Sequence, residues 1–90
     1  SFEITSVYPN PFNPTVNISY NLPNAEEVSI RIYNALGQEV NYKKSQLQAG
    51  QHVFSWNGLD QNNRMLSSGI YFARITTADS NQMVKLTYLR

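Results

Sequence analysis

Val16, Ile18, Tyr20 and Leu22 alternate with Asn17, Ser19 and Asn21. Successive side chains of a strand point to opposite faces, so a period of two reads as a β-strand with one apolar and one polar face. The same period recurs along almost the whole chain. Val28, Ile30 and Ile32 alternate with Ser29, Arg31 and Tyr33, and His52, Phe54 and Trp56 alternate with Val53 and Ser55. Ile70 to Thr77 is rich in β-branched and aromatic residues, which favour a pleated surface, and Gln82 to Leu89 reads as a last strand. A short strand over Thr5 to Tyr8 and a returning hairpin strand over Gln38 to Tyr42 bring the expected total to seven.

Turn residues punctuate these runs. Pro23-Asn24, Asn57-Gly58 and Asp79-Ser80-Asn81 break the alternation. Asn34-Ala35-Leu36-Gly37 reads as a tight turn, because glycine takes a positive φ without steric cost. Gln46 to Gly50 is expected to be a loop anchored by Leu47, and Leu59 to Ser68 a polar connection plugged by Met65-Leu66. The only helical signal is Ala25-Glu26-Glu27, enough for one turn before β-branched residues begin. Short strands with turns at this spacing predict an all-β, immunoglobulin-like antiparallel β-sandwich, a single domain spanning residues 1–90.

Size and charge narrow what such a sandwich can do. A chain of 90 residues buries roughly 60–65% of its unfolded surface, which leaves one core and no second lobe around a cleft. Charged residues make up 14% and the net charge is +1, against nucleic acid as a partner, since phosphate binding needs clustered Lys and Arg. With no cysteine, a disulfide framework, a thiolate metal site and a cysteine nucleophile are all excluded. No cofactor is implied. Ser1-Phe2-Glu3-Ile4 lacks the basic and apolar regions of a signal peptide, and Ser1 reads as a cut point within a longer parent.

Candidate chemistry is sparse. His52 is the only histidine and has no neighbouring carboxylate, so it reads as structural. Asp60 and Asn62 are candidate oxygen ligands, because Asp60-Gln61-Asn62-Asn63-Arg64 resembles the start of a calcium loop. Met65 and Tyr71 nevertheless stand where such a loop has Gly and Glu, and a β-turn with a left-handed Asn explains the same residues. Trp56 has the size and position of a core residue, while outward-facing Tyr33 and Tyr42 keep open a carbohydrate-stacking role.

Tyr8-Pro9-Asn10-Pro11-Phe12-Asn13-Pro14 is the most distinctive stretch. Each proline fixes its own φ and pushes the preceding residue out of the helical region. The segment is therefore expected to be stiff and extended, outside any regular ladder, with Tyr8 and Phe12 anchoring it on the core. A stiff segment loses little entropy on binding, so it is also a candidate recognition surface.

This proline motif resembles the opening of the type A C-terminal sorting domain of the type IX secretion system. Ile32 to Val40, Gly50-Gln51-His52, Trp56-Asn57-Gly58, Ser68 to Phe72 and Met83 to Leu86 match further motifs of that family in order, and Arg90 supplies a basic end. The pattern is also similar to the immunoglobulin-like domain of flagellar hook-capping proteins. The resemblance implies a non-catalytic domain that follows an N-terminal cargo domain in the same chain. It implies a route through the periplasm and the outer-membrane secretion translocon, removal by a sortase-like protease, and a cargo left at the cell surface or released. By position, the implied recognition residues are Pro9, Asn10, Pro11, Gly69, Tyr71, Lys85 and Arg90. Gly69 and Tyr71 equally fit the tyrosine corner of a sandwich, and Lys85 equally fits an edge charge. A carbohydrate-binding module and a structural spacer of a secreted enzyme are the alternatives.

Overall fold

The computed structural model describes all of residues 1–90. Seven strands follow one another: β1 (Glu3–Tyr8), β2 (Val16–Leu22), β3 (Glu26–Asn34), β4 (Glu39–Leu47), β5 (Gly50–Trp56), β6 (Gly69–Thr76) and β7 (Asn81–Tyr88). They form two antiparallel sheets, one ordered β1-β2-β5 and the other β4-β3-β6-β7. The expected all-β sandwich is what the chain adopts. Constant-type immunoglobulin domains place their fourth strand in the first sheet; here β4 pairs with β3 instead.

The alternation in the sequence sorts side chains as predicted. Val16, Ile18, Tyr20 and Leu22 face inward from β2, and Val28, Ile30 and Ile32 face them from β3. Phe54 and Trp56 of β5, Tyr71, Ala73 and Ile75 of β6, and Leu86 and Tyr88 of β7 complete the strand-borne core. Each large apolar side chain buried in this way stabilises the fold by about 1.5–3 kcal/mol. Phe2 and Phe12 join the core from outside the strands.

Three local expectations are corrected. The residues from Glu26 are strand, not a helical turn, because Glu26 and Glu27 pair with Leu47 and Gln46. For the same reason β4 continues to Leu47, where a loop from Gln46 was expected. Its polar stretch is tolerated because β4 is an edge strand, and Lys43 and Ser45 line an open rim with Val53 rather than the closed core. Met65 is 62% exposed and plugs nothing; Leu66 alone of that pair packs on the core.

Candidate functional site

The proline segment and the last strand, far apart in sequence, are bonded together. After β1 the chain crosses to the other sheet and lies along the outer edge of β7. The Asn10 side chain behaves there like an extra peptide group. Its Nδ2 donates to the Lys85 carbonyl at 3.0 Å, and its Oδ1 accepts from the Thr87 N–H at 2.9 Å. Phe12 continues the pairing: its N–H donates to Thr87 O at 2.9 Å, and Leu89 N–H donates to Phe12 O at 3.0 Å. This makes a parallel bridge between Phe12 and Tyr88. The segment thus belongs in part to the sheet, where none of it was expected in a ladder. The peptide bonds before Pro9, Pro11 and Pro14 are all cis.

Phe12 is the anchor, at 1% exposure, with its ring stacked on Tyr88 at 5.0 Å and tilted against Trp56 at 5.6 Å. Tyr8, expected to be the second anchor, is 73% exposed. It is the last residue of β1, an edge strand, and its side chain falls on the face away from the core. The second inward anchor at this end is supplied by Val7, packed against the core.

Trp56 organises the aromatic cluster beneath the clasp. It meets Tyr71 edge-on at 5.3 Å, and its Nε1 donates to Leu59 O at 2.9 Å. The Tyr71 hydroxyl donates to Ser67 O at 2.7 Å, which is the tyrosine-corner arrangement. Burial, and secondarily the neighbouring Tyr88, raise the Tyr71 pKa above the usual tyrosine value. Gly69 opens β6 at a φ of 155°. Arg90 is held beside the start of β6, its N–H donating to Ser68 Oγ at 2.9 Å. The Lys85 side chain is exposed on the outer face of the four-stranded sheet.

The sequence-derived candidates therefore fall into groups. Asn10 and the backbone of Lys85 meet directly, and Pro9 and Pro11 flank that contact. Gly69, Tyr71 and Arg90 sit together at the end of the sandwich where Ser67 and Ser68 connect into β6. Asp60 and Asn62 lie apart from both. The Asp60 Oδ1 accepts the N–H groups of Asn62 and Arg64, each at 2.9 Å. The Arg64 backbone bond first, then the Asn62 bond and the Arg64 charge, hold its carboxyl below the ordinary value. Asn63 takes the left-handed conformation, at a φ of 61°. This is the β-turn reading, with Oδ1 committed to backbone donors. His52 is tied to Gln48 O at 2.7 Å and lies against Tyr20. Tyr33 and Tyr42 do face outward, but Arg74 stands 5.7 Å and Arg31 4.4 Å from their ring centres.

Thr87 was not singled out by sequence reasoning, although both its backbone groups are held by the clasp. The available signal was an Asn between two prolines, the side chain that best imitates a peptide; which strand it meets is set only by the fold.

Fold and clasp together define an immunoglobulin-like β-sandwich module whose distinguishing feature is a proline segment bound along its terminal strand. The secretion system C-terminal sorting domain family matches residues 6–88, and the chain belongs to that family. This family is the C-terminal sorting domain of the type IX secretion system, a non-catalytic sorting signal. It marks proteins that pass the outer membrane to the cell surface or are released.

Solved structures share the fold. Dimeric latent PorU from Porphyromonas gingivalis superposes with a TM-score of 0.73 at 13% identity, over 98% of this chain and 9% of that one. FlgD from P. aeruginosa gives a TM-score of 0.64 at 24% identity, over 96% of this chain and 63% of that one. FlgD from Xanthomonas campestris, a protein of flagellar hook capping, gives 0.67 at 20% identity, over 96% and 64% of the two chains. The chain thus spans a small part of PorU and less than two thirds of either FlgD. No protein of curated function matches it in sequence.

Proposed function

We propose that this domain is the part of a larger secreted protein that the outer-membrane translocon reads, and that a sortase-like protease later cuts away from the N-terminal cargo. The read element is β7 with the proline segment clasped to it: Pro9, Asn10, Pro11, Lys85 and the chain through Arg90. The observation that carries this reading is the pair of bonds between Asn10 and β7, because they join the two most distinctive sequence features into one surface. Gly69 and Tyr71 act through the fold, shaping the corner that starts β6. The domain performs no catalysis of its own.

The carbohydrate reading fits less well, since Tyr33 and Tyr42 each carry a guanidinium over the ring face a sugar would need.

The test is export of a reporter fused to residues 1–90 in a host that has this secretion system. Deleting Met83 to Arg90 would be uninformative, because Leu86 and Tyr88 are core residues and the fold would go with them. Lys85→Glu changes only an exposed side chain. Export should fall at least tenfold while the melting temperature holds. Unchanged export in Lys85→Glu, Asn10→Ala and Pro9→Ala together would sink the proposal.

A further inference from the structure

The clasp covers only half of the β7 edge. Outward backbone groups in an antiparallel strand recur every second residue. Lys85 O, the Thr87 N–H and C=O, and Leu89 N–H are outward and occupied by Asn10 and Phe12. The same alternation turns the Met83 N–H and C=O and the Lys85 N–H to that edge, ahead of the clasp. β7 is the last strand of its sheet, so no strand lies beside them.

The outer sheet face beside this open stretch is basic and partly apolar. Arg31, Arg74 and Met83 are cross-strand partners in one row, and Tyr33, Phe72 and Lys85 in the next. An open depression of about 290 Å³ lies over Tyr33, Phe72, Arg74 and Met83. Arg31 is paired with Glu39 at 3.0 Å. The remaining ion pairs of the molecule take Lys44 and Arg64, which leaves Arg74 and Lys85 without a carboxylate. Like charges directly opposite on one face disfavour a sheet, and Arg31 and Arg74 are such a pair. An anion laid over this face would relieve that arrangement.

We propose that the open stretch of β7 takes up an extended, acidic segment of a partner protein as an added strand. Its peptide groups bond Met83 and Lys85, and its carboxylates face Lys85 and Arg74. Strand addition at an exposed sheet edge is a recurrent mode of peptide recognition. A peptide fits better than an anionic polysaccharide, because it offers alternating N–H and C=O groups at the strand repeat of about 3.3 Å per residue. Edge lysines also discourage indiscriminate pairing, so Lys85 admits an acidic strand and repels a basic one. This inference rests on the reading that β7 meets the secretion partner, and adds the chemistry of what it meets.

The probe is a fluorescein-labelled octapeptide of alternating valine and glutamate, titrated into the 90-residue chain by fluorescence anisotropy. Its controls are the valine–lysine peptide and the valine–glutamate peptide N-methylated at every residue, which keeps the charge and removes each N–H. The acidic peptide should bind and both controls should bind at least tenfold more weakly. Hydrogen exchange at the Met83 and Lys85 amides should slow at least tenfold on binding. Lys85→Glu and Arg74→Glu should each weaken binding tenfold or more, with near-ultraviolet dichroism of Trp56 unchanged. Met83→Pro provides a second route: it deletes an outward N–H, and an edge strand tolerates proline there. Equal binding of the methylated peptide, displacement by dextran sulfate without amide protection, or no binding would each overturn the added strand. Those results would leave the sorting role to the export assay. Variants that lose the peptide yet still export would keep the strip and overturn the sorting role given to β7.

Discussion

Gly58 lies so close under Tyr88 that a Cβ on it would come 2.5 Å from the ring carbon Cζ and 2.7 Å from the hydroxyl oxygen. Its φ is 76°, in the left-handed region. The turn after Trp56 therefore requires glycine for conformation and for space, and the space is taken by an aromatic of the terminal strand. A residue of the Trp-Asn-Gly motif is thus fixed by a partner thirty positions later in the chain.

Gly58→Ala should cost about 2–5 kcal/mol, combining ~1–2 kcal/mol for a left-handed alanine with ~1–3 kcal/mol for overpacking. In a Tyr88→Leu background the overpacking share should shrink and the cost approach ~1–2 kcal/mol. A double-mutant cycle from urea unfolding measures this coupling. Strictly additive costs would show that the Tyr88 ring is not what excludes a side chain at Gly58.

The clasp has two supports of unequal strength. Phe12→Ala removes a buried aromatic and should cost about 3–5 kcal/mol. Asn10→Ala removes two exposed hydrogen bonds and should cost about 1–2 kcal/mol in all. For a domain of this size each kcal/mol lowers the melting temperature by about 4–8 °C, so the two variants separate clearly in a thermal scan. The Thr87 amide should exchange faster in Asn10→Ala. A reversed ranking would mean that the amide, not the ring, holds the segment.

How far these features were legible depended on their range. Strands β2, β3 and β5 carry a clean alternation because one face of each meets the core, whereas β6, with Ile70 and Phe72 on its outward face, was legible as a strand only by its β-branched and aromatic composition. The inward residues of β2, β3 and β5, Ile18, Ile32 and Trp56 among them, could be named from the sequence. β4 was cut short because its pairing with β3 lies at an open rim, where Lys43 and Ser45 need not be apolar. Phe2 was missed because it stands before the first strand, outside any period. Proline stiffness and the Phe12 anchor could be read locally. The bonds from Asn10 to β7 could not, since they span 75 and 77 positions and depend on which strand ends up at the sheet edge.

The Asp60 turn should make the domain sensitive to acid. Its carboxyl titrates below the ordinary value of 3.8 in the folded state, chiefly through the Arg64 N–H. A depressed folded pKa contributes stability that is complete above the unfolded value and is lost as pH falls through the folded one. Thermal melts between pH 7 and pH 2 should thus show a decline starting near pH 4. Asp60→Asn keeps an oxygen acceptor for both N–H groups but does not titrate, so it should flatten that part of the curve. An unchanged acid limb in Asp60→Asn would place the sensitivity elsewhere.

Tyr71 lets fold and recognition be told apart at a residue the family pattern marks for both. Its pKa and that of Tyr20 are raised, in each case first by burial. A raised folded pKa contributes stability that is complete below the unfolded value and is lost as pH rises through the folded one. For a phenol near 10 this loss begins above about pH 10. Tyr71→Phe cannot ionise there, so part of the alkaline loss should disappear. At pH 7 the same variant gives up the 2.7 Å bond to Ser67 O, at a cost of about 0.5–1.5 kcal/mol. If Tyr71 serves only the corner, export of a reporter should persist in Tyr71→Phe at temperatures below its lowered melting point. A tenfold fall in export from a variant still folded by Trp56 dichroism would make the Tyr71 hydroxyl part of what the translocon reads.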